Sequence, residues 1–282
     1  MLKTRVLKTL AAVGNAVHQR ARLLLELRRC AGDGIVVPGW LARRALRRPT
    51  AAEDLVDFLR FLRPEQPLFL VDAGANRGDW AADFLALFPD TTVLAVEPVP
   101  ATFERLSRRF AGDPRVRPVN AALSDRAGPV VMRVGAEDTL ASLHDYAAPF
   151  AGFRGQDGAE EGGRAAVTVP ALRLDDLLSE GPSPGWTDGR TGVLKVDVQG
   201  HEAAALAGAP ALLARIDVAI VELSFVEEYA GVEPSFGACA GLLAAAGLHP
   251  AIFQEYGRHI MPHAVERDVI FVRRHLLERI IG

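Results

Sequence analysis

Four stretches of this chain combine residue types and spacings that suit chemistry. In the first, Val71-Asp72-Ala73-Gly74-Ala75-Asn76-Arg77-Gly78-Asp79, a carboxylate is followed by two glycines four positions apart. The apolar run Leu68-Phe69-Leu70 precedes it and a helical pattern from Trp80 to Phe88 follows, so it reads as strand, tight turn and helix. Glycines in such a turn let backbone approach a ligand, and the new helix presents free N–H groups there. In the second, Glu97 ends the apolar strand from Thr92, 25 residues beyond Asp72, where a carboxylate can accept both hydroxyls of a ribose. In the third, Asn120 and the backbone of Ala121-Ala122 suit an adenine edge. The fourth is Leu194-Lys195-Val196-Asp197-Val198-Gln199-Gly200-His201-Glu202, with two charged residues on one face of an otherwise apolar strand.

Taken singly, each group has a plainer role. Asp72 can cap its turn, Glu97 can be a solvated strand end, and Asn120 can be a turn residue. Glu202 can serve a helix start, and Lys195 can simply neutralise Asp197. Placed at successive strand ends they form one ligand site, because open α/β sheets bind ligands outside the carboxyl ends of their strands. A nicotinamide dinucleotide is excluded by the glycine spacing: counting from Gly74, Gly-x-Gly-x-x-Gly would need glycines where Asn76 and Asp79 stand.

The elements that must position these groups alternate in type, the signature of a parallel sheet with helices on both faces. Strands are expected at about 92–97, 116–120, 130–134, 167–172, 193–198, 218–223, 248–254 and 268–273, after the first at 68–70. The last two are too close for a helical crossover and should pair antiparallel. Helices are expected at 80–88, from Pro100 through Phe110, at 202–213 with a bend near Gly208-Ala209-Pro210, and at 236–246, ended by Gly247. The alternation breaks between 125 and 190, and residues 151–164, rich in Gly and charge, read as a surface loop.

The net charge of −3 hides an asymmetry: residues 1–63 hold 13 Lys/Arg against 5 Asp/Glu, the remainder 19 against 30. Residues 2–27 form an amphipathic helical stripe, suited to a membrane surface or to packing on the body or a second copy of the chain. Contact through residues 1–30 is therefore an expected partner surface. The cluster Arg43-Arg44 with Arg47-Arg48 has no interleaved aromatics, so nucleic acid is not an expected partner. No run reaches the roughly 20 apolar residues of a spanning helix, and no signal-peptide pattern is present. Cys30 and Cys239 form no redox or metal pattern, which suits a reducing cytoplasm.

The Asp-x-Gly-x-x-x-Gly turn matches the first motif of methyltransferases that use S-adenosylmethionine. The chain resembles the FkbM family of these enzymes through that turn, Val96-Glu97-Pro98, Asn120-Ala121-Ala122-Leu123-Ser124-Asp125 and Leu172-Arg173-Leu174-Asp175-Asp176-Leu177. It does so further through Leu194 to Glu202 and Leu206-Ala207-Gly208-Ala209. The resemblance implies an α/β, Rossmann-like class I methyltransferase fold: a mostly parallel seven-stranded sheet with one antiparallel strand over 64–282. The basic helical extension, 1–63, lies outside it. It implies S-adenosylmethionine as cofactor and methylation of a hydroxyl on a small molecule, sugar, glycan or natural product. The expected cofactor-binding residues are Asp72, Gly74, Ala75, Asn76, Gly78, Glu97, Pro98, Asn120, Ala121, Asp197 and Gln199.

Asp197, His201 and Lys195 are the candidate catalytic residues. Asp197 could hold the cofactor's amino group, steer the acceptor hydroxyl or take its proton; His201 is the alternative base, and His144 a weaker one. Residues 135–165 are expected to line or cover the acceptor side. No metal is expected. Asp197, Glu222 and His201 could surround a cation, but no tight ligand spacing supports it, and Gln199 stands where the family commonly has Glu. The other reading is a methyltransferase-like binding module attached through its basic leader.

Overall fold

The computed structural model describes residues 67–134, 141–145, 147, 165–183, 185–253, 259–260 and 263–281. The basic leader, its helical stripe and the loop 151–164 all lie outside the described residues.

The body is built on seven strands: β1 (Leu68–Ala73), β2 (Thr92–Val96), β3 (Val116–Val119), β7 (Thr191–Val196), β8 (Val218–Ser224), β9 (Leu248–Phe253) and β12 (Glu266–Arg273). They form one sheet of order β3-β2-β1-β7-β8-β12-β9. β12 runs antiparallel to both β8 and β9, and the pairs among β3, β2, β1, β7 and β8 are parallel. The chain fills one half of the sheet outward from β1 and returns to place β7 on its other side. The carboxyl ends of β1 and β7 therefore flank the point where strand order reverses.

β1 sits at the centre and every one of its residues is buried. That is why it reads as a continuous apolar run rather than an alternating one. Phe69, Val71 and Ala73 face one layer with Leu94, Val96, Leu194, Val221 and Phe271. Leu68 and Leu70 face the other, with Val93, Val193, Ile220 and Ile270. Helices α1 (Asp79–Leu87) and α2 (Pro100–Arg109) cover the second layer through Phe84, Leu85 and Leu106, and Phe110 beyond α2 joins them. On the first layer lie α3 (Glu202–Ala207), α4 (Pro210–Leu213) and α5 (Ser235–Ala245). The bend expected near Pro210 is the break between α3 and α4. Gly247, at φ +82°, follows α5. A short ribbon, β10 (His259–Ile260) with β11 (His263–Ala264), precedes β12, and α6 (Arg274–Ile281) closes the described chain.

Where the alternation breaks, the chain builds a separate three-stranded sheet from β4 (Ala122–Leu123), β5 (Gly128–Val134) and β6 (Ala165–Leu172), with β6 in the middle. It has its own small core of Val99, Ala122, Met132, Val169 and Ala171. A 3-10 turn, Leu174–Glu180, leads back to the main sheet.

At the centre, Gly74 has φ +82°, and a Cβ there would lie 1.9 Å from the carbonyl oxygen of Asp197. Both chain direction and close approach require glycine. Gly74→Ala is expected to destabilise by roughly 3 kcal/mol, since backbone rather than a side-chain tip must move. Gly112 is also at positive φ, but open space surrounds the position its Cβ would take, so replacement by Ala should cost about 1 kcal/mol. Urea unfolding of the two variants tests this difference.

Candidate active site

The turn after β1 is tied to β2 by two bonds to one carbonyl: Gly74 N–H (3.0 Å) and Ala75 N–H (2.9 Å) both donate to Val96 O. The Glu97 carboxylate then bridges the turn and its own strand end. Its Oε2 accepts from Asn76 N–H and its Oε1 from Val99 N–H, each at 2.9 Å. Two backbone donors thus fix the plane of a carboxylate that is 5% exposed and lines a cavity at the sheet's carboxyl edge. Asn76 and Gln199 are the described non-glycine residues at positive φ, 49° and 52°, and both line the same cavity.

Of the expected site residues, Gly74, Asn76, Glu97, Pro98, Ala121, Asp197, Gln199 and His201 line this cavity. Val96, Leu123, Met132 and Leu143 add apolar wall. Fixed hydrogen-bonding groups at one end and apolar surface beside them suit a nucleoside, so the residues fit S-adenosylmethionine. Ala141 and Leu143 are the described part of 135–165 that lines the wall; most of that segment lies outside the described residues.

The other expected residues do not line the cavity, and each has a physical reason. Asp72 is fully buried under the turn, its Oδ1 3.7 Å from Lys195 Nζ. Lys195 also reaches Asp197 Oδ2 (3.3 Å) and Gly74 O (3.5 Å), behind the wall. Asn120 spends its amide on Glu97 O (2.8 Å) and Pro98 O (3.0 Å), so it stitches the end of β3 to that of β2. A Cβ on Gly78 would press into the Phe110 ring at 2.5 Å, which makes it a packing glycine for α1 against Phe110. Ala75 is likewise buried in the layer under α1.

His144, the weaker of the two histidine candidates, lies against His201. Its Nε2 is 3.1 Å from His201 Nδ1, and His201 Nε2 is 3.2 Å from Ser124 Oγ. Ser124 Oγ in turn donates to Asp125 Oδ1 at 3.1 Å. A carboxylate only accepts, so Ser124 must accept from His201 Nε2–H, and His201 Nδ1 must accept from His144 Nε2–H. Both ring nitrogens of His201 are thereby occupied. Burial first, then His144 and Arg126, against Asp125, lower its pKa to about 4 and keep the ring neutral. No local spacing reveals this pair; the residues are 57 positions apart and meet through Ser142, whose Oγ donates to Gln199 O at 2.6 Å.

Charge is concentrated at the ends of β7, β8 and β12. Burial opposes the Lys195 ammonium, but Asp197, Asp72 and Asp268 outweigh it and hold the amine above its usual range. Burial would likewise raise Asp197, and Lys195 with the hydrogen bond from Gln199 brings it below the ordinary carboxylate range. Burial, then Asp197, Glu266 and Asp268, push Glu222 well up. Glu202, buried and accepting from Gly200 N–H (2.9 Å) and Val198 N–H (3.3 Å), is raised to about 7, chiefly by burial. Among the described residues, no group of His, Cys, Asp and Glu side chains is arranged to hold a metal ion.

The sequence comparisons agree with this geometry. The family model described as Methyltransferase FkbM domain matches residues 72–258, from the β1 carboxylate to beyond β9. The chain belongs to the FkbM methyltransferase family. Methyltransferase sdnD of Sordaria araneosa is 34% identical over 51% of this chain and 61% of its own length. Hexuronic acid methyltransferase AglP of Haloferax volcanii is 30% identical over 63% of this chain and 64% of its own. The chain thus spans somewhat under two thirds of these two relatives. 2-O-methyltransferase NoeI of Sinorhizobium fredii is 26% identical over 80% of this chain and 87% of its own. The FkbM family uses S-adenosylmethionine, which the residues lining the cavity fit.

Two outcomes test the site. Glu97→Ala should weaken S-adenosylmethionine binding by at least about tenfold, the loss of a fixed charged acceptor, measured by calorimetry. A raised carboxyl pKa means that the folded state prefers the protonated form, so Glu202 should make stability fall as pH rises from about 4.5 to about 7. Glu202→Gln, which keeps an acceptor for Gly200, should flatten the pH dependence of urea unfolding in that window and make the protein more stable than wild type at pH 8.

Proposed function

We propose that the protein is an S-adenosylmethionine-dependent O-methyltransferase acting on a hydroxyl of a small molecule, sugar, glycan or natural product. The observation that carries this reading is one cavity holding two carboxylates of different character. Glu97 ends β2 with both oxygens bound to backbone N–H groups, and Asp197 follows β7 with its side chain 36% exposed. Gly74, at the end of the strand between them, keeps the floor open. The names of AglP and NoeI, a hexuronic acid methyltransferase and a 2-O-methyltransferase, support a sugar-like acceptor.

In this reading Glu97, Asn76, Pro98 and Ala121 hold the nucleoside and Gly74 the rest of the cofactor. When bound there, S-adenosylmethionine supplies an activated methyl group that leaves sulfur for the acceptor oxygen as the hydroxyl proton is released. The protein contributes alignment of the two reactants and a group for the proton. Asp197 takes that role in preference to His201, because both nitrogens of His201 are committed to Ser124 and His144 while the Asp197 carboxylate opens to the cavity. Lys195 keeps that carboxylate charged from behind the wall. Leu123, Met132 and Leu143 exclude water from the reacting end.

The methyltransferase body is taken as 64–282, with 1–63 as an appended basic segment available for a membrane surface or a second copy of the chain. No described helix is long and apolar enough to cross a membrane. A cytoplasmic setting is part of the proposal, supported by Cys239, buried and unpaired.

Incubation with methyl-labelled S-adenosylmethionine and fractionated metabolites should yield a labelled, alkali-stable ether product. Asp197→Ala should lower its formation at least about a hundredfold while cofactor affinity changes less than about threefold. Label found only on nitrogen or carbon, or turnover indifferent to Asp197, would overturn the proposal.

A further inference from the structure

Gln199 holds a backbone conformation that costs free energy for any residue with a Cβ, at φ 52°, and it lines the cavity beside Asp197. Its amide nitrogen donates to two carboxylates at once, Asp197 Oδ1 at 2.9 Å and Glu222 Oε2 at 2.8 Å. Its amide oxygen accepts from Tyr229 Oη–H at 3.2 Å. This orientation is forced by chemistry, since two carboxylates offer acceptors and a phenol offers a donor. The ring of Tyr229 is in turn packed under Gly200, where a Cβ would lie 2.5 Å from it.

Three acids stand in a row here. Asp197 and Glu222 sit at the carboxyl ends of adjacent strands, and Asp268 of β12 is directly opposite Glu222 in register. Lys195 bonds Asp197 and pairs with Asp72, and the bond between Gln199 and Glu222 links the second acid of the row to the first. Like charges this close repel unless donors separate them.

We propose that Gln199 is a positioning residue for methyl transfer: its amide is a neutral, two-pronged donor that spaces Asp197 from Glu222 and turns the Asp197 carboxylate to the acceptor. This rests on the reading of Asp197 as the group that takes the acceptor's proton. Glu, which the family commonly has here, offers no donor when ionised and a single one when protonated, whereas the amide offers two at every pH. The groups that face Asp197 are Lys195 on its own strand, Asp72 on β1, Glu222 on β8, Asp268 on β12 and Glu202 on α3. Beside the Lys195 ammonium, hydrogen bonds from the Gln199 amide and from the Glu222 carboxyl favour the charged Asp197 carboxylate, and the amide is the one of these two donors that does not titrate.

The test uses the full chain, carbon-13 labelled and saturated with S-adenosylhomocysteine. The carboxyl carbon of Asp197, assigned with Asp197→Asn, is followed by NMR through a pH titration. In the wild type it should titrate below the ordinary carboxylate range. Gln199→Met keeps the length of the side chain but removes its donors, and should move the midpoint up by at least about one pH unit. Gln199→Glu should move it further in the same direction. Tyr229→Phe, which only loosens the amide, should give a smaller upward shift and serves if the position-199 variants do not fold. An unchanged midpoint in Gln199→Met with S-adenosylhomocysteine bound, or in Tyr229→Phe if that variant alone folds, overturns the proposal. Because the readout is a titration, its failure leaves methyl transfer standing, and absent methyl transfer with the shift intact would instead remove the functional reading.

Discussion

A single buried ammonium holds the site together. Lys195 lies within ion-pair distance of Asp72 and Asp197 and within hydrogen-bond reach of Gly74 O, so one cation joins β1, its glycine turn and the end of β7. A carboxylate as buried as Asp72 would be very costly without it. Among the described residues, Asp72 makes no other side-chain bond. The first carboxylate of the glycine motif thus faces Lys195 and does not line the cavity. At the same junction, a Cβ on Gly74 would strike the Asp197 carbonyl.

From that junction the two halves of the cavity acquire opposite characters. On the β2 side, Glu97 is held by backbone N–H groups, and Asn120 locks the following carbonyls. These donors come from main chain and from an amide, giving a rigid, neutral frame around one carboxylate. On the β7 side, acids and one amine crowd together, and their protonation states depend on one another. A rigid frame suits a cofactor common to a family; a charge-coupled cluster suits proton transfer, where small changes in neighbours shift the ease of removing a proton.

The three-stranded excursion supplies the remaining wall. Met132 of β5 and the segment Ala141 to Leu143 reach the cavity, and Ser142 secures that segment twice: by backbone bonds to Arg133 and through its hydroxyl to Gln199 O. The His144–His201 contact and the bond from Ala230 N–H to Asp145 O extend this lacing across to the β8 side. The wall is thus anchored to the same loop that presents Gln199 and His201.

Sequence alone determined the strand order class, the glycine turn and the strand-end carboxylates. These depend on local matters: apolar runs buried on both faces, φ signs that only glycine adopts readily, and residues that terminate a strand. It also marked Gln199 as the departure from the family's acid. Only the tertiary structure decided which of those groups face the cavity. Asp72, Lys195 and Asn120 turn away because a buried charge or amide takes the nearest partner, and that partner lies on another strand. The histidine pair and the bond from Gln199 to Glu222 were beyond reach of spacing, since each joins residues that only the closing of the sheet and its excursion brings within 3.1 Å.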